Sequence, residues 1–329
     1  MPLPDGRVVW LFGDTYIGTV YADGSILPND HLVNNSFVVQ SGRCFTPLMG
    51  GAQRARTDLI PDPAPNQWYW PASGVVSGNA LFVFMWRIEN DGGALGFHVL
   101  DMRMAVFSLP NLTLQSIGPA PIPASPDRPY GAAAFGDATS GYLYLYGANS
   151  LGPSNGVDEP EQRNFVARAP LNAFTFPDTW TYWDGIGWSA SSAAATPMTF
   201  ASTPPFAFPP STYPIDGPAA PLNVSPAPAG AVGYSYLGTA KLLDALSADV
   251  SVFTAPTPNG PWTYRAKVAD TVFPGLSTYG AATHMSLPGT TSPIVVFSTN
   301  DSPFDSGSIP LSIQSYGPRF VAPLMGSLP

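Results

Sequence analysis

Charge is scarce in this chain of 329 residues: Asp, Glu, Lys and Arg together make up 11%, against about 25% in ordinary globular proteins. Only 13 residues are Lys or Arg against 22 Asp or Glu, a net charge of −9. The basic residues form no stripe that could track phosphates, so neither nucleic acid nor an anionic membrane surface is an expected partner. Cysteine is nearly absent, since Cys44 stands alone and no intrachain disulfide can form. Secreted bacterial proteins and cytosolic ones both manage without disulfides, so the compartment stays open. The three histidines, His31, His98 and His284, have no spacing suited to zinc. Long apolar runs are missing as well. Residues 81–86 fall far short of the roughly 20 a membrane span needs, so no membrane insertion is expected. The opening Met1-Pro2-Leu3-Pro4-Asp5 lacks the basic and apolar regions of a signal peptide and reads as sequence cut just before a first strand. No phosphate-cradling glycine loop, serine nucleophile elbow or Cys–His signature occurs.

Proline and glycine, by contrast, are abundant at 39 and 32 residues, and the chain is 45% hydrophobic and 12% aromatic. Pro and Gly disfavour helix interiors, while the apolar content is too high for disorder. An all-β chain with many turns follows. Apolar stretches fall into five groups: 8–12 with 36–40; 68–76, 80–88 and 99–109; 130–135, 142–146, 164–169 and 180–183; 230–237, 250–254 and 262–266; 279–285, 294–298 and 319–321.

Tyr130-Gly131-Ala132-Ala133 recurs as Tyr279-Gly280-Ala281-Ala282, each copy followed by a glycine-punctuated turn and an apolar strand. Self-similarity at long period is the mark of sheets repeated in an array. One domain over residues 1–329 is therefore expected, with about 66 residues per sheet. Residues 189–230 are rich in Ser, Ala and Pro and could be a linker between two domains. Phe200, Phe206, Phe208 and Tyr213 favour an ordered, proline-stiffened insertion, because their exposure would be costly. Residues 241–248 have room for one short helix.

Few residues can carry chemistry. Asp14 closes the first strong strand, in Trp10-Leu11-Phe12-Gly13-Asp14-Thr15; it is either a reactive carboxylate or an Asx turn. Asp137 follows the first echo, and Glu161 lies with Asp158 and Glu159 in the next loop. Cleaving a glycosidic bond takes two carboxyl groups, one as acid and one as base or nucleophile, and their separation decides the stereochemistry. His284 follows the second echo, where it could bind substrate, assist a metal-bound water or serve as a structural histidine. Asn35 and Arg319 are candidate substrate contacts or loop ties. Trp70 belongs to an aromatic set, some of which would suit stacking on sugar rings.

The run Leu3-Pro4-Asp5-Gly6-Arg7 with Trp10-Leu11-Phe12-Gly13-Asp14-Thr15 resembles bacterial domains of unknown function built as five-bladed β-propellers. Asn34-Asn35-Ser36, Trp70-Pro71, Phe107-Ser108-Leu109-Pro110, Val166-Ala167-Arg168-Ala169-Pro170, Trp180-Thr181-Tyr182-Trp183-Asp184-Gly185 and the stretch from Tyr316 to Phe320 carry the same resemblance. It spans nearly the whole chain outside the Pro-rich insertion. Those domains are similar to family-43 glycosidases and endo-D-arabinanases. The resemblance implies a monomeric, secreted or cell-surface five-bladed propeller that hydrolyses a poly- or oligosaccharide such as an arabinan. In it Asp14 would be base or nucleophile and Asp137 or Glu161 the acid, with Asn35, Trp70, His284 and Arg319 against the substrate. No cofactor is required, and a structural calcium ion in the central channel is compatible with it. One departure stands out: Ala72-Ser73-Gly74 follows Trp70-Pro71 where an acid is expected. That departure keeps an alternative open, a non-catalytic carbohydrate-binding propeller.

Overall fold

The computed structural model describes residues 1–52, 55–90, 97–122, 130–148, 164–201, 220–226, 234–239, 249–270, 276–284, 294–301 and 316–321. Within them the only helical segments are single 3₁₀ turns, Pro177–Thr179 and Ser192–Ala194; the protein is all-β. The chain runs through β1 (Val8–Phe12) into β2 (Thr15–Val20), then returns as β3 (Ile26–Val33) and β4 (Ser36–Ser41) and adds β5 (Cys44–Leu48). Strands β1, β4 and β5 form the first sheet, and β2 with β3 prolong it as a two-stranded ribbon. A small hairpin, β6 (Gly50–Ala52) with β7 (Ala55–Thr57), leads to the second sheet. That sheet is a meander of β8 (Gln67–Ser77), β9 (Ala80–Asn90), β10 (Phe97–Ser108) and β11 (Thr113–Pro119).

The third sheet is β12 (Tyr130–Asp137), β13 (Tyr142–Ala148), β14 (Asn164–Pro170), β15 (Thr181–Trp183) and β16 (Trp188–Ser189). The fourth contains β17 (Phe200–Ala201) and the meander β18 (Ala220–Pro226), β19 (Tyr234–Thr239), β20 (Asp249–Ala255) and β21 (Trp262–Asp270); β17 pairs in parallel with β21. The fifth is β22 (Leu276–His284), β23 (Ile294–Asp301) and β24 (Gly317–Val321). The stretch expected as an insertion thus supplies both β17 and the leading strand of the fourth sheet. Its prolines masked that strand. Pro221 sits at a break in register and Pro226 at the strand end, the places where a missing N–H is tolerated. Residues 241–248 lie outside the described residues.

Continuous apolar runs become strands buried on both faces. Along β9, Leu81, Val83 and Met85 enter the core shared with the first sheet, where Val9, Phe37 and Phe107 lie. The alternate residues Phe82, Phe84 and Trp86 meet the third sheet through Leu143, Leu145 and Phe165. Strand β13 repeats the division: Tyr144 and Tyr146 face Phe253 and Trp262 of the fourth sheet. The sheets therefore stack in chain order. The last meets the first through Trp10 against Phe320, at 6.1 Å between ring centroids, and Tyr16 against Tyr316, at 5.1 Å.

Strand β8 lies against β12, β12 against β18 and β18 against β22. Each of the four breaks register with its hairpin partner: between Pro71 and Ser73, Tyr130 and Ala133, Pro221 and Asn223, and Tyr279 and Ala282. The repeated Tyr-Gly-Ala-Ala is this irregularity written twice. A bulge of this kind re-aims neighbouring side chains, and bulges concentrate beside active sites. In the first copy the glycine is required. Gly131 has φ of +108°, and a Cβ there would fall 2.6 Å from Met102 Cε.

Candidate active site

Strand direction fixes which residues can meet. Met1–Leu3 folds back on β1, with Pro2 bridging Val8 and Leu3 N–H donating to Arg7 O. Strand β1 then ends at Gly13-Asp14, where β8 begins. There the Trp70 indole N–H donates to Asp14 Oδ1 at 2.6 Å. The Trp70 ring lies alongside Gly13, where a methyl would make an ordinary 3.5 Å contact with Trp70 Cδ1. From the last sheet Tyr316 donates its hydroxyl to the Asp14 backbone oxygen at 3.0 Å. Thr15 closes the turn by donating to Gly13 O at 2.9 Å. Asp14 Oδ2 has no protein partner among the described residues.

Asp14 is solvent-exposed, yet enough protein crowds its carboxyl to shift its titration. Desolvation raises the pKa to about 6, the Trp70 hydrogen bond opposes that rise, and the charge of Asp58 adds to it. Asp58 follows β7, and its Oδ1 receives the backbone N–H of Asn34 at 2.5 Å, that of Asn35 at 3.0 Å and Asn35 Nδ2 at 3.4 Å. Asp62 also titrates above the usual carboxylate range, from desolvation first and the Asp58 charge second. Tyr16 is raised by burial and by Asp14. Three aspartates thus share this end of the molecule, and two of them, Asp58 and Asp62, were missed in sequence. The only hint was Asp58-Leu59-Ile60-Pro61-Asp62-Pro63, which reads as an ordinary connecting loop.

Trp70 is half-buried and held edge-on between Phe97, at 4.7 Å, and Trp68, at 5.7 Å. Asn35 is not at the surface. It is fully buried, accepts Ile60 N–H at 2.7 Å and donates to Ile60 O and Tyr69 O at 3.1 and 3.2 Å. Its amide ties the first sheet to the second and steadies Asp58. Ala72 is the residue skipped where β8 breaks register, and Ser73 Oγ donates to Gly131 O at 2.6 Å. No acid replaces the expected one at that point.

Asp137 lies at the wrong end of the sheet to join Asp14. Ser73 adjoins Gly131 early in β12, whereas Ser77 Oγ donates to Leu171 O, and Leu171 N–H bonds to Gly141 O in the turn beyond Asp137. The path from Trp70 to Ser77 is seven residues of strand, roughly 23 Å at about 3.3 Å per residue. Asp137 is buried at 5% exposure and receives Thr139 N–H at 2.9 Å, the Asx-turn role. Arg319 donates through Nε to the buried Thr299 hydroxyl at 3.4 Å. His284 ends β22, opposite Ile294 and two residues past the break in register. Glu161 lies outside the described residues. No cluster of three or more His, Cys, Asp or Glu side chains among the described residues is arranged to hold a metal. No described helix is long and apolar enough to cross a membrane.

Antiparallel sheets stacked in chain order, whose first and last members meet beside the exposed Asp14 carboxyl, define the class: an all-β protein of stacked meanders. Within that class the chain belongs to the family described as Domain of unknown function (DUF5005), whose model matches residues 1–322. A Bacteroides ovatus protein assigned provisionally as a hydrolase shares the fold with a TM-score of 0.67 at 18% identity, covering 99% of this chain and 84% of the other. A family-43 β-xylosidase/α-arabinofuranosidase from a compost microbial metagenome, solved with xylotriose in a calcium-free form, aligns with a TM-score of 0.48 at 13% identity, over 97% and 88% of the two chains. A family-43 enzyme from Xanthomonas citri with xylotriose gives 0.47 at 13%, over 95% and 87%. No curated protein matches the chain in sequence.

Proposed function

We propose that the five sheets are the blades of a five-bladed β-propeller and that the protein is a glycoside hydrolase acting on a polysaccharide at the Asp14 end. The observation that carries this reading is the state of Asp14: its Oδ1 is fixed by Trp70, its Oδ2 is open, and its pKa is about 6 beside a second carboxyl, Asp58. A carboxyl whose titration is raised to about 6, paired with another whose surroundings differ, is suited to the acid half of a glycosidase pair. Asp14 then donates a proton to the departing glycosidic oxygen. Asp58, with three N–H donors converging on one oxygen, serves as the partner carboxylate. This reverses the base or nucleophile role that resemblance implied for Asp14. It also replaces Asp137, which lies at the far end. Trp68, Trp70 and Phe97 supply an apolar wall of the kind that sugar rings stack against. The reading includes no step through calcium.

Arabinan is the substrate proposed first, and xylan and other wall glycans follow in the same screen. A polysaccharide substrate places the protein outside the cytoplasm, secreted or at the cell surface. The test is release of reducing ends by the wild type and by Asp14→Asn. Release by both at equal rates removes Asp14 from the mechanism. The second reading, a non-catalytic carbohydrate-binding propeller, draws on Ala72 standing where an acid was expected. It predicts saturable glycan binding with no reducing ends released.

A further inference from the structure

Strand β14 alternates cleanly until one position. Phe165, Ala167 and Ala169 pack toward the second sheet, and Val166 packs on the opposite face toward the fourth. Arg168 takes its place in this buried central strand, paired across to Tyr144 on one side and Thr181 on the other. A cation there needs compensation. Arg7, Arg87 and Arg103 obtain it from Asp5 or Asp101. Arg168 has no carboxylate partner among the described residues. Its guanidinium is instead stacked 4.3 Å from the Tyr142 ring centroid and 4.1 Å from that of Trp188. Its Nε–H is buried and makes no hydrogen bond.

Stacking fixes the guanidinium plane and consumes none of its donors. A planar fork held that way is prepared for a carboxylate, which accepts two parallel N–H bonds. Trp183, at 5.8 Å from Trp188, and the Tyr144 ring, at 6.0 Å, extend the aromatic surround. We propose that Arg168, clamped between Tyr142 and Trp188, is a binding site for a carboxylate carried on a sugar ring, a uronate. It lies toward the Asp137 end of the third sheet, away from Asp14, and does not depend on the hydrolase reading.

The buried Nε–H gives a direct probe: its ¹H–¹⁵N cross-peak, assigned by its disappearance in Arg168→Lys. Titrating the full chain with sodium glucuronate should move this peak saturably, and glucose should leave it in place. A stronger response to glucuronate than to acetate supports the sugar-borne carboxylate, and an equal response to acetate overturns the uronate assignment. Arg168→Lys keeps the charge and loses the fork, so glucuronate affinity, followed by Trp fluorescence, should fall roughly tenfold or more, as for one lost charge-assisted hydrogen bond. Arg168→Gln controls for packing, since it should abolish binding with the thermal midpoint monitored alongside. A peak unmoved by any carboxylate, a response to glucose equal to that for glucuronate, or full affinity in Arg168→Lys overturns the proposal.

Discussion

Trp70 donates its indole N–H to Asp14 Oδ1 at 2.6 Å, joining the start of the second sheet to the end of β1. This bond stabilises the ionised carboxyl, while burial and Asp58 act against it. Trp70→Phe keeps the ring and deletes the donor. The Asp14 pKa should then rise above its value of about 6. If Asp14 is the acid, activity requires its proton, so the alkaline limb of the pH–rate profile should move upward. The ¹³Cγ titration of Asp14 should move with it. An unchanged midpoint in the variant would show that the indole does not control the proton.

Asp14→Asn should lower turnover by about a thousandfold, within the usual range for a lost general acid. Its effect on stability has the opposite sign. The folded-state pKa of Asp14 lies above the unfolded value of 3.8, so the fold favours the neutral form. Stability from this group is full below pH 3.8 and is lost as pH rises through about 6. The neutral amide escapes that loss and can still accept the Trp70 N–H. Thermal midpoints of variant and wild type should therefore coincide near pH 3.5 and separate in the variant's favour by pH 7. A wild type more stable than the variant at pH 7 would contradict the assigned environment.

Asp14 and the two-faced strands were legible in sequence because both rest on local signals, an acid closing an apolar run and an unbroken run itself. The echo was legible too, since its glycine is forced by a left-handed backbone and the Met102 contact. Which end of a strand faces a site was not legible. An Asp in a Gly-Asp-Ala-Thr turn reads alike at either end of a sheet, and only the bonds from Ser73 and Ser77 reveal that Asp137 is remote. Asn35 misled for another reason: a polar residue beside a strand looks exposed until its buried partners are known. Asp58 was invisible because it acts from a connection between sheets.

Asn35→Ala removes an amide that meets Ile60 on both its N–H and its carbonyl, and Tyr69 on its carbonyl. Those buried backbone groups would lose partners. The cost should be about 2–4 kcal/mol, measured by urea denaturation. Activity in the folded fraction should also fall, because Asp58 loses one of its donors. A loss of substrate affinity with stability intact would return Asn35 to the substrate contacts.

Asp137→Ala separates the two ends of the third sheet. The side chain holds the turn through Thr139 N–H, so stability should drop by at least about 1 kcal/mol. The pH–rate profile should keep its midpoint, because the carboxyl lies some 20 Å or so from Asp14 by strand geometry. A profile that shifts with this substitution would place Asp137 in electrostatic contact with the reacting group.

Gly131→Ala tests the link between the repeated motif and the site. The added methyl meets Met102 Cε at 2.6 Å, and the backbone already has φ of +108°. Met102 is flexible and can retreat, but the backbone cannot relax without closing the break in register between Tyr130 and Ala133. The conformational strain alone should cost about 1–3 kcal/mol. Because Ser73, two residues beyond Pro71, hydrogen-bonds to Gly131 O, distortion of β12 should pass to β8 and loosen the Trp70–Asp14 bond. The Asp14 midpoint should then rise in Gly131→Ala, by less than in Trp70→Phe. Met102→Leu, which alters the contact without touching the backbone, should leave that midpoint in place. A stability loss with no movement of the Asp14 titration would confine the bulge to a structural role.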